Sequence, residues 1–150
     1  MNKGLSIRKI SYHFPKNIQT NDQLKSIHPD WDIDKVQEKT GIFQRYIADK
    51  DETSLDLGFL ACKNLFREFE LKPQEIDALL FISQTPDYAL PSSSCILQEK
   101  LSLSNEILAL DINLGCSGFV NSLAVASSLL KSKAINNCLL ICAETYSKFI

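Results

Sequence analysis

Fourteen consecutive residues, Ser117 to Leu130 (SGFVNSLAVASSLL), carry no charge. Their spacing reads as a helix, and a helix on a protein surface shows a polar face, so this one is expected to be buried almost all round. Its small side chains, among them Gly118, Ser122, Ala124, Ala126, Ser127 and Ser128, would let other elements approach closely. Lys131 and Lys133 follow only at its C-terminal end, where the helix dipole favours cations. A helix of this kind needs cover on several sides. One layer pair built from 150 residues does not supply it, which implies further protein: a second half, a partner subunit, or both.

The flanking segments supply the rest of the pattern. Ala78 to Ile82 (ALLFI) is a continuous apolar run of strand length, the mark of a strand covered on both faces. Ile107 to Leu114 and Cys138 to Ala143 (CLLICA) read as two more strands, and Leu5 to Tyr12 alternates like a first one, ended by Pro15. Thr20, Asn21 and Asp22 offer N-caps for a short helix to Ile27. A second is expected over Ile33 to Lys39 with Gly41 as its stop, followed by an extended piece from Ile42 to Ile47. Thr53 with Asp56 makes a capping box for a long helix to Glu70, on which Leu57, Ala61, Leu65 and Phe69 recur on one face until Pro73 forbids continuation. Ser92 is placed to cap a helix to about Leu101. The order predicts an α/β fold with a largely parallel sheet and a buried central helix, in one domain spanning residues 1–150.

Composition narrows the function classes. A formal net charge of -2 gives no electrostatic reason to bind nucleic acid or an anionic membrane. No segment approaches the roughly 18 apolar residues of a membrane span, and the N-terminus lacks the apolar core and cleavage site of a signal peptide. Five cysteines without a C-x-x-C pair argue against a disulfide framework and for a reducing, cytoplasmic setting. Cys62, Cys95, Cys138 and Cys142 read as small buried hydrophobes. No cluster has metal-ligand spacing and there is no Gly-rich phosphate loop, so neither metal nor cofactor is expected.

Cys116 differs from the other four. It stands in G-C-S-G, where the strand pattern of DINL gives way to the uncharged helix. Glycine there permits backbone angles and close approaches that other residues resist. A side chain at such a turn projects past the sheet edge beside the free N–H groups of a helix N-terminus. Those groups favour negative charge, so they suit a thiolate nucleophile and an oxyanion. The plainer possibility is a buried cysteine in a glycine-rich turn.

The stretch DINLGCSGFVNSLAVA followed by LLICAETYSK resembles the β-ketoacyl-acyl-carrier-protein synthase III branch of the thiolase superfamily. TGIFQRYIA resembles that family's R-T-G-I segment and the arginine after it, and TPDYALPSSSC its loop and helix before the nucleophile strand. The resemblance implies a thiolase-like fold and an acyltransferase that condenses by decarboxylation. Cys116 would take an acyl group from acyl-CoA, with its own backbone N–H as one oxyanion donor. Malonyl-acyl carrier protein would then lose CO2 and attack the thioester, giving a 3-oxoacyl product. It further implies a homodimer, acyl-CoA and acyl carrier protein as partners, and chains about twice this length whose second half brings an enolate-stabilising histidine and asparagine. On that basis the 150 residues are expected to be an N-terminal half that does not condense by itself. His13 and His28 are expected in packing or solvent roles.

Other positions take roles from the same resemblance. Leu90 matches the residue that reaches across the dimer into the partner's acyl pocket. Lys39 and Thr40 stand at the R-T positions of the CoA-binding segment, with lysine in place of arginine. The tryptophan that stacks on the CoA adenine is replaced, since Lys35 and Val36 stand at the W-I positions and Trp31 lies four residues earlier, so a carrier-bound or unusual acyl donor is an alternative. Asp111 and Asn113 are expected in local turn hydrogen bonds. Glu144 is expected either near the active-site floor or dimer interface, or as a solvent-exposed turn carboxylate. Two other functions fit the pattern: a related Cys-dependent synthase of polyketides or specialised lipids, and a non-catalytic thiolase-fold dimerisation module.

Overall fold

The computed structural model describes residues 5–149. At its centre lies a parallel three-stranded sheet of β3 (Ala78–Ile82), β4 (Leu108–Ile112) and β5 (Cys138–Cys142), in the order β4-β3-β5. The strands run in register, Ala78 opposite both Leu108 and Cys138. All five residues of β3 are buried, as the unbroken ALLFI run predicts for a strand with neighbours at both edges and helices on both faces. Leu79 and Phe81 point into the larger core with Leu55, Cys62, Leu97, Leu139 and Ile141. Leu80 and Ile82 point the other way, toward Ala126. Each such large side chain contributes about 1.5–3 kcal/mol through burial.

The covering helices are α3 (Ser54–Phe69) and α4 (Ser93–Lys100) on the first face and α5 (Gly118–Lys131) on the second. Thr53 caps α3 in the expected box with Asp56, though the buried stripe runs through Leu55, Gly58 and Cys62 as well as Leu57, one register step from the predicted face. A smaller unit precedes this layer: β1 (Asn17–Thr20), α1 (Asn21–Ile27), α2 (Ile33–Thr40) and β2 (Gln44–Ile47), with β1 and β2 antiparallel. Thr20 caps α1 in a box with Gln23, and Gly41 ends α2 at a φ of 69°, the left-handed conformation that glycine adopts without strain.

Two expectations change. Leu5 to Tyr12 forms no strand; it crosses α3, with Lys9 Nζ 4.5 Å from the Phe69 ring centre, Ser11 donating to Glu68 at 2.9 Å and the Asn64 amide donating to the Tyr12 carbonyl at 3.1 Å. Alternation describes which side chains share a face, but a strand also needs an edge to pair with. The helix α5 is not buried all round either. Gly118, Ser122 and Ala126, four apart, form its buried stripe, while Phe119 and Val120 are 46% and 68% exposed. The small residues do admit a close neighbour, but only one layer covers the helix among the described residues.

Candidate active site

The carboxyl ends of the three parallel strands lie side by side, where ligands bind in open α/β sheets. From β4 the chain passes Asn113 and Leu114 into a tight turn closed by the Gly118 N–H donating to the Gly115 carbonyl at 2.8 Å. Cys116 and Ser117 occupy the middle of that turn, and α5 begins at Gly118. Neither glycine has a positive φ. Their reason is proximity. A Cβ on Gly115 would stand 2.6 Å from the Gln84 side-chain oxygen, and one on Gly118 would stand 2.5 Å from Ile82 Cγ2. The turn therefore sits directly against the end of β3 and its following loop. The Cys116 thiol is free and exposed. Among the described residues, the backbone N–H groups of Cys116 and Ser117 have no acceptor. Backbone N–H groups without an acceptor are what an oxyanion site requires.

The floor of this end is tied together by carboxylates. Glu144, just past β5, belongs to an exposed residue, yet its oxygens accept from the Gln84 N–H at 2.7 Å, the Thr85 hydroxyl at 2.8 Å and the Ser83 hydroxyl at 3.4 Å. Asp111, in β4, does not make the local turn bonds expected of it. Its two oxygens accept from the N–H groups of Ser93 and Ser94 at 2.8 and 2.7 Å. It thus replaces Ser92, whose side chain makes no cap bond, as the cap of α4. The signal was present in LALDI: a carboxylate inside an apolar strand must find donors. Gln84, unremarked in the sequence, lies against Gly115 and so forms the wall next to Cys116.

The other expected site residues are distributed unequally. Leu90 is 85% exposed at the tip of the loop after β3, so it shares the sheet's carboxyl end with Cys116. Lys39 and Thr40 end α2 in the smaller unit. The Thr40 hydroxyl is engaged locally, donating to the Val36 carbonyl and accepting from the Ile42 N–H. In the same unit Arg45 donates to buried Asn21, which also bonds Gln37 and the Ile42 carbonyl, locking α1, α2 and β2 together. His28 stacks on Trp31 with ring centres 4.1 Å apart, and His13 lies in the segment before β1.

The remaining cysteines are less uniformly buried than expected: Cys62 is buried, Cys138 half-buried, and Cys95 and Cys142 exposed. Burial pushes the Cys62 thiol up to about 12 and that of Cys138 to about 11. The Cys142 thiol is raised by partial burial and by the charge of Glu144. Among the described residues no cluster of His, Cys, Asp and Glu could hold a metal, and no helix is long and apolar enough to cross a membrane.

The chain is similar to known proteins in sequence and in fold. Residues 110–150 match the family 3-oxoacyl-[acyl-carrier-protein] synthase III. The β-ketoacyl-[acyl-carrier-protein] synthase III of Clostridium perfringens is 40% identical over 134 residues, covering 89% of this chain and 40% of that protein. A crystal structure of a 3-oxoacyl-(acyl-carrier-protein) synthase III superposes with a TM-score of 0.87 at 41% identity, over 93% of this chain and 42% of the other. The enzyme from Aquifex aeolicus gives 0.83 at 36% identity, over 92% and 44%. The chain thus spans about two fifths of the length of the relatives it matches. In sequence and in its thiolase-like α/β fold, the chain is similar to part of the β-ketoacyl-[acyl-carrier-protein] synthase III proteins.

Proposed function

We propose that the intact protein is a decarboxylating condensing enzyme and that Cys116 is its nucleophile. The observation that carries this reading is the turn from Gly115 to Gly118: an exposed thiol beside two backbone N–H groups without acceptors, at the carboxyl end of a parallel sheet. The Cys116 thiolate attacks the carbonyl of an acyl-CoA, and the tetrahedral oxyanion is held by those amides until CoA leaves as its thiol. Malonyl-acyl carrier protein then loses its carboxylate as CO2. The carbanion so formed attacks the acyl-cysteine, a carbon–carbon bond replaces the carbon–sulfur bond, and 3-oxoacyl-acyl carrier protein departs as the thiolate is restored. No cofactor takes part in these steps.

In this reading residues 1–150 are the nucleophile-bearing half. The coverage of the relatives and the uncovered face of α5, with Phe119 and Val120 exposed, support a second half packed there. Residues of that half would stabilise the enolate, since His28 is spent on Trp31 and His13 lies outside the α/β layer. The outer edge of β4, where Leu108 and Leu110 are 41% and 43% exposed, supports homodimer formation. Leu90 would line the acyl pocket, and Lys39 and Thr40 the approach of CoA. The activity belongs in the cytoplasm, where both thioester substrates are made.

The test is product formation. Intact protein given acetyl-CoA and malonyl-acyl carrier protein should release CO2 and 3-oxoacyl-acyl carrier protein, and Cys116→Ala should abolish the condensation. Equal condensation by the wild type and Cys116→Ala would remove Cys116 from the mechanism.

A further inference from the structure

The turn that carries Cys116 rests on the end of β3 at two points. Ile82 Cγ2 lies 2.5 Å from where a Cβ on Gly118 would stand, and the Gln84 side-chain oxygen lies 2.6 Å from where one on Gly115 would stand. Side chains two apart on an extended chain share a face, and Ile82 and Gln84 are two apart. The glycines they meet are the two ends of the turn, joined by the Gly118 N–H donating to the Gly115 carbonyl at 2.8 Å. Cys116 is held between them. Its N–H belongs to the same peptide unit as the Gly115 carbonyl, so the seat under Gly115 and Gly118 decides where that N–H points.

The alternate residues of the same stretch are tied to Glu144, just past β5. Its carboxylate accepts from the Gln84 N–H at 2.7 Å, the Thr85 hydroxyl at 2.8 Å and the Ser83 hydroxyl at 3.4 Å. Ser83 and Thr85 are buried. Their hydroxyls also accept, that of Ser83 from the Thr85 N–H at 3.0 Å and that of Thr85 from the Thr145 N–H at 3.1 Å. The sheet's own backbone bonds run out at this level, with the Ser83 N–H donating to the Ile112 carbonyl and the Ala143 N–H donating to the Ile82 carbonyl. One step further, the carboxylate holds β3 and β5 together, and hydrogen bonds to an ionised acceptor are the stronger kind. Glu144 thus reaches the nucleophile turn through residues 83–85.

We propose that Glu144 is a positioning residue for the nucleophile: by fastening residues 83–85 it fixes the seat of the Gly115–Gly118 turn and so aims the Cys116 N–H at the acyl oxyanion. The proposal rests on the condensing-enzyme reading above and deepens it. Its consequence is a split between two reactions of one thiol. Acetylation by acetyl-CoA forms the Cys116 thioester as CoA leaves, and it passes through an oxyanion that the aimed N–H stabilises. Alkylation by iodoacetamide forms a carbon–sulfur bond as iodide leaves, and no oxyanion develops. Loosening Glu144 slows the first and spares the second.

The test compares Glu144→Ala with Glu144→Gln in intact protein, at a temperature where both are folded. Both lack the charge. Glutamine keeps an oxygen for the Gln84 N–H and an N–H for a hydroxyl, and alanine keeps neither. Acetylation of the Cys116 peptide by acetyl-CoA, followed by mass spectrometry, should be about tenfold slower in Glu144→Ala than in Glu144→Gln, within the hundredfold that a displacement near 1 Å costs. Iodoacetamide should label Cys116 equally fast in the two. Equal acetylation overturns the proposal. So does an equal fall in both reactions, since loss of folded protein or of thiolate slows both alike. Should Glu144→Ala not fold, Glu144→Asp, one methylene shorter, is compared with wild type, where the same split is expected and its absence refutes the proposal. Hydrogen exchange provides a readout independent of activity. Faster exchange in Glu144→Ala over both residues 83–85 and residues 114–118 supports the seat. Exchange that is unchanged, or faster over residues 83–85 alone, overturns it. Wild-type protein that acetyl-CoA does not acetylate would instead refute the condensing-enzyme reading, with the exchange result still deciding the role of Glu144 under the turn.

Discussion

Replacing Gly118 by alanine tests why the nucleophile turn is built from small residues. The added Cβ would stand 2.5 Å from Ile82 Cγ2 and 3.3 Å from Leu114 Cβ. The first distance is about 1.3 Å inside the roughly 3.8 Å at which carbons rest against each other. Ile82 is 3% exposed and ends the central strand β3, so it has little room to yield. Overpacking of this kind costs about 1–3 kcal/mol, against which the helical preference of alanine over glycine returns about 0.5–1 kcal/mol. The net expectation is a loss of about 1–2 kcal/mol, read as a lower urea midpoint at unchanged slope. The relief of the clash must also move the turn, and a displacement near 1 Å lowers the rate of Cys116 acylation by up to about a hundredfold. Ile82→Ala removes the opposing methyl. In that background Gly118→Ala should cost little, giving a coupling of about 1 kcal/mol or more in the double-mutant cycle. The reasoning is refuted if Gly118→Ala matches wild type in midpoint and acylation rate, or if its cost is the same with and without Ile82.

Two further outcomes follow from the titrating groups. Because the Cys62 thiol is pushed up from 9.0 to about 12 by burial, the folded state holds its proton where the unfolded chain has lost it. That contribution to stability is complete below pH 9.0 and is lost as pH rises toward about 12. Urea midpoints across this window should fall less steeply in Cys62→Ala than in wild type, and identical slopes would contradict the assignment. Glu144→Gln removes the charge that helps raise the Cys142 thiol, so iodoacetamide should label Cys142 faster at pH 8. It also weakens the bonds to Gln84 and Thr85 at a cost of about 1 kcal/mol; unchanged labelling would show that the charge does not act on the thiol.

Legibility in the sequence followed how local each cause is. The box at Thr53, the N-cap at Thr20 and the stop at Gly41 are decided within a few residues, and all three form as the sequence implies. The run ALLFI could be placed at the centre of a parallel sheet because it needs cover on both faces whatever supplies it. Leu5 to Tyr12 shows the converse: its alternation is clear, but pairing depends on a distant edge. NIQT at β1 gives almost no signal, and its partner β2 makes it a strand. The uncharged face of α5 was read correctly as apolar and wrongly as covered, since cover is supplied by other elements. Cys116 stands out in the sequence because glycines flank it. Asp111 and Gln84 were not assigned their places, because their partners lie 18, 17 and some thirty residues away in the chain.

The central claim is that the turn between β4 and α5 presents a nucleophile. Mass spectrometry of folded, intact protein after incubation with acetyl-CoA tests it most directly. The account predicts one acetyl group on the peptide containing Cys116, removable by hydroxylamine and lost in Cys116→Ala. An adduct on exposed Cys95 or Cys142 instead, or none at all, would contradict it.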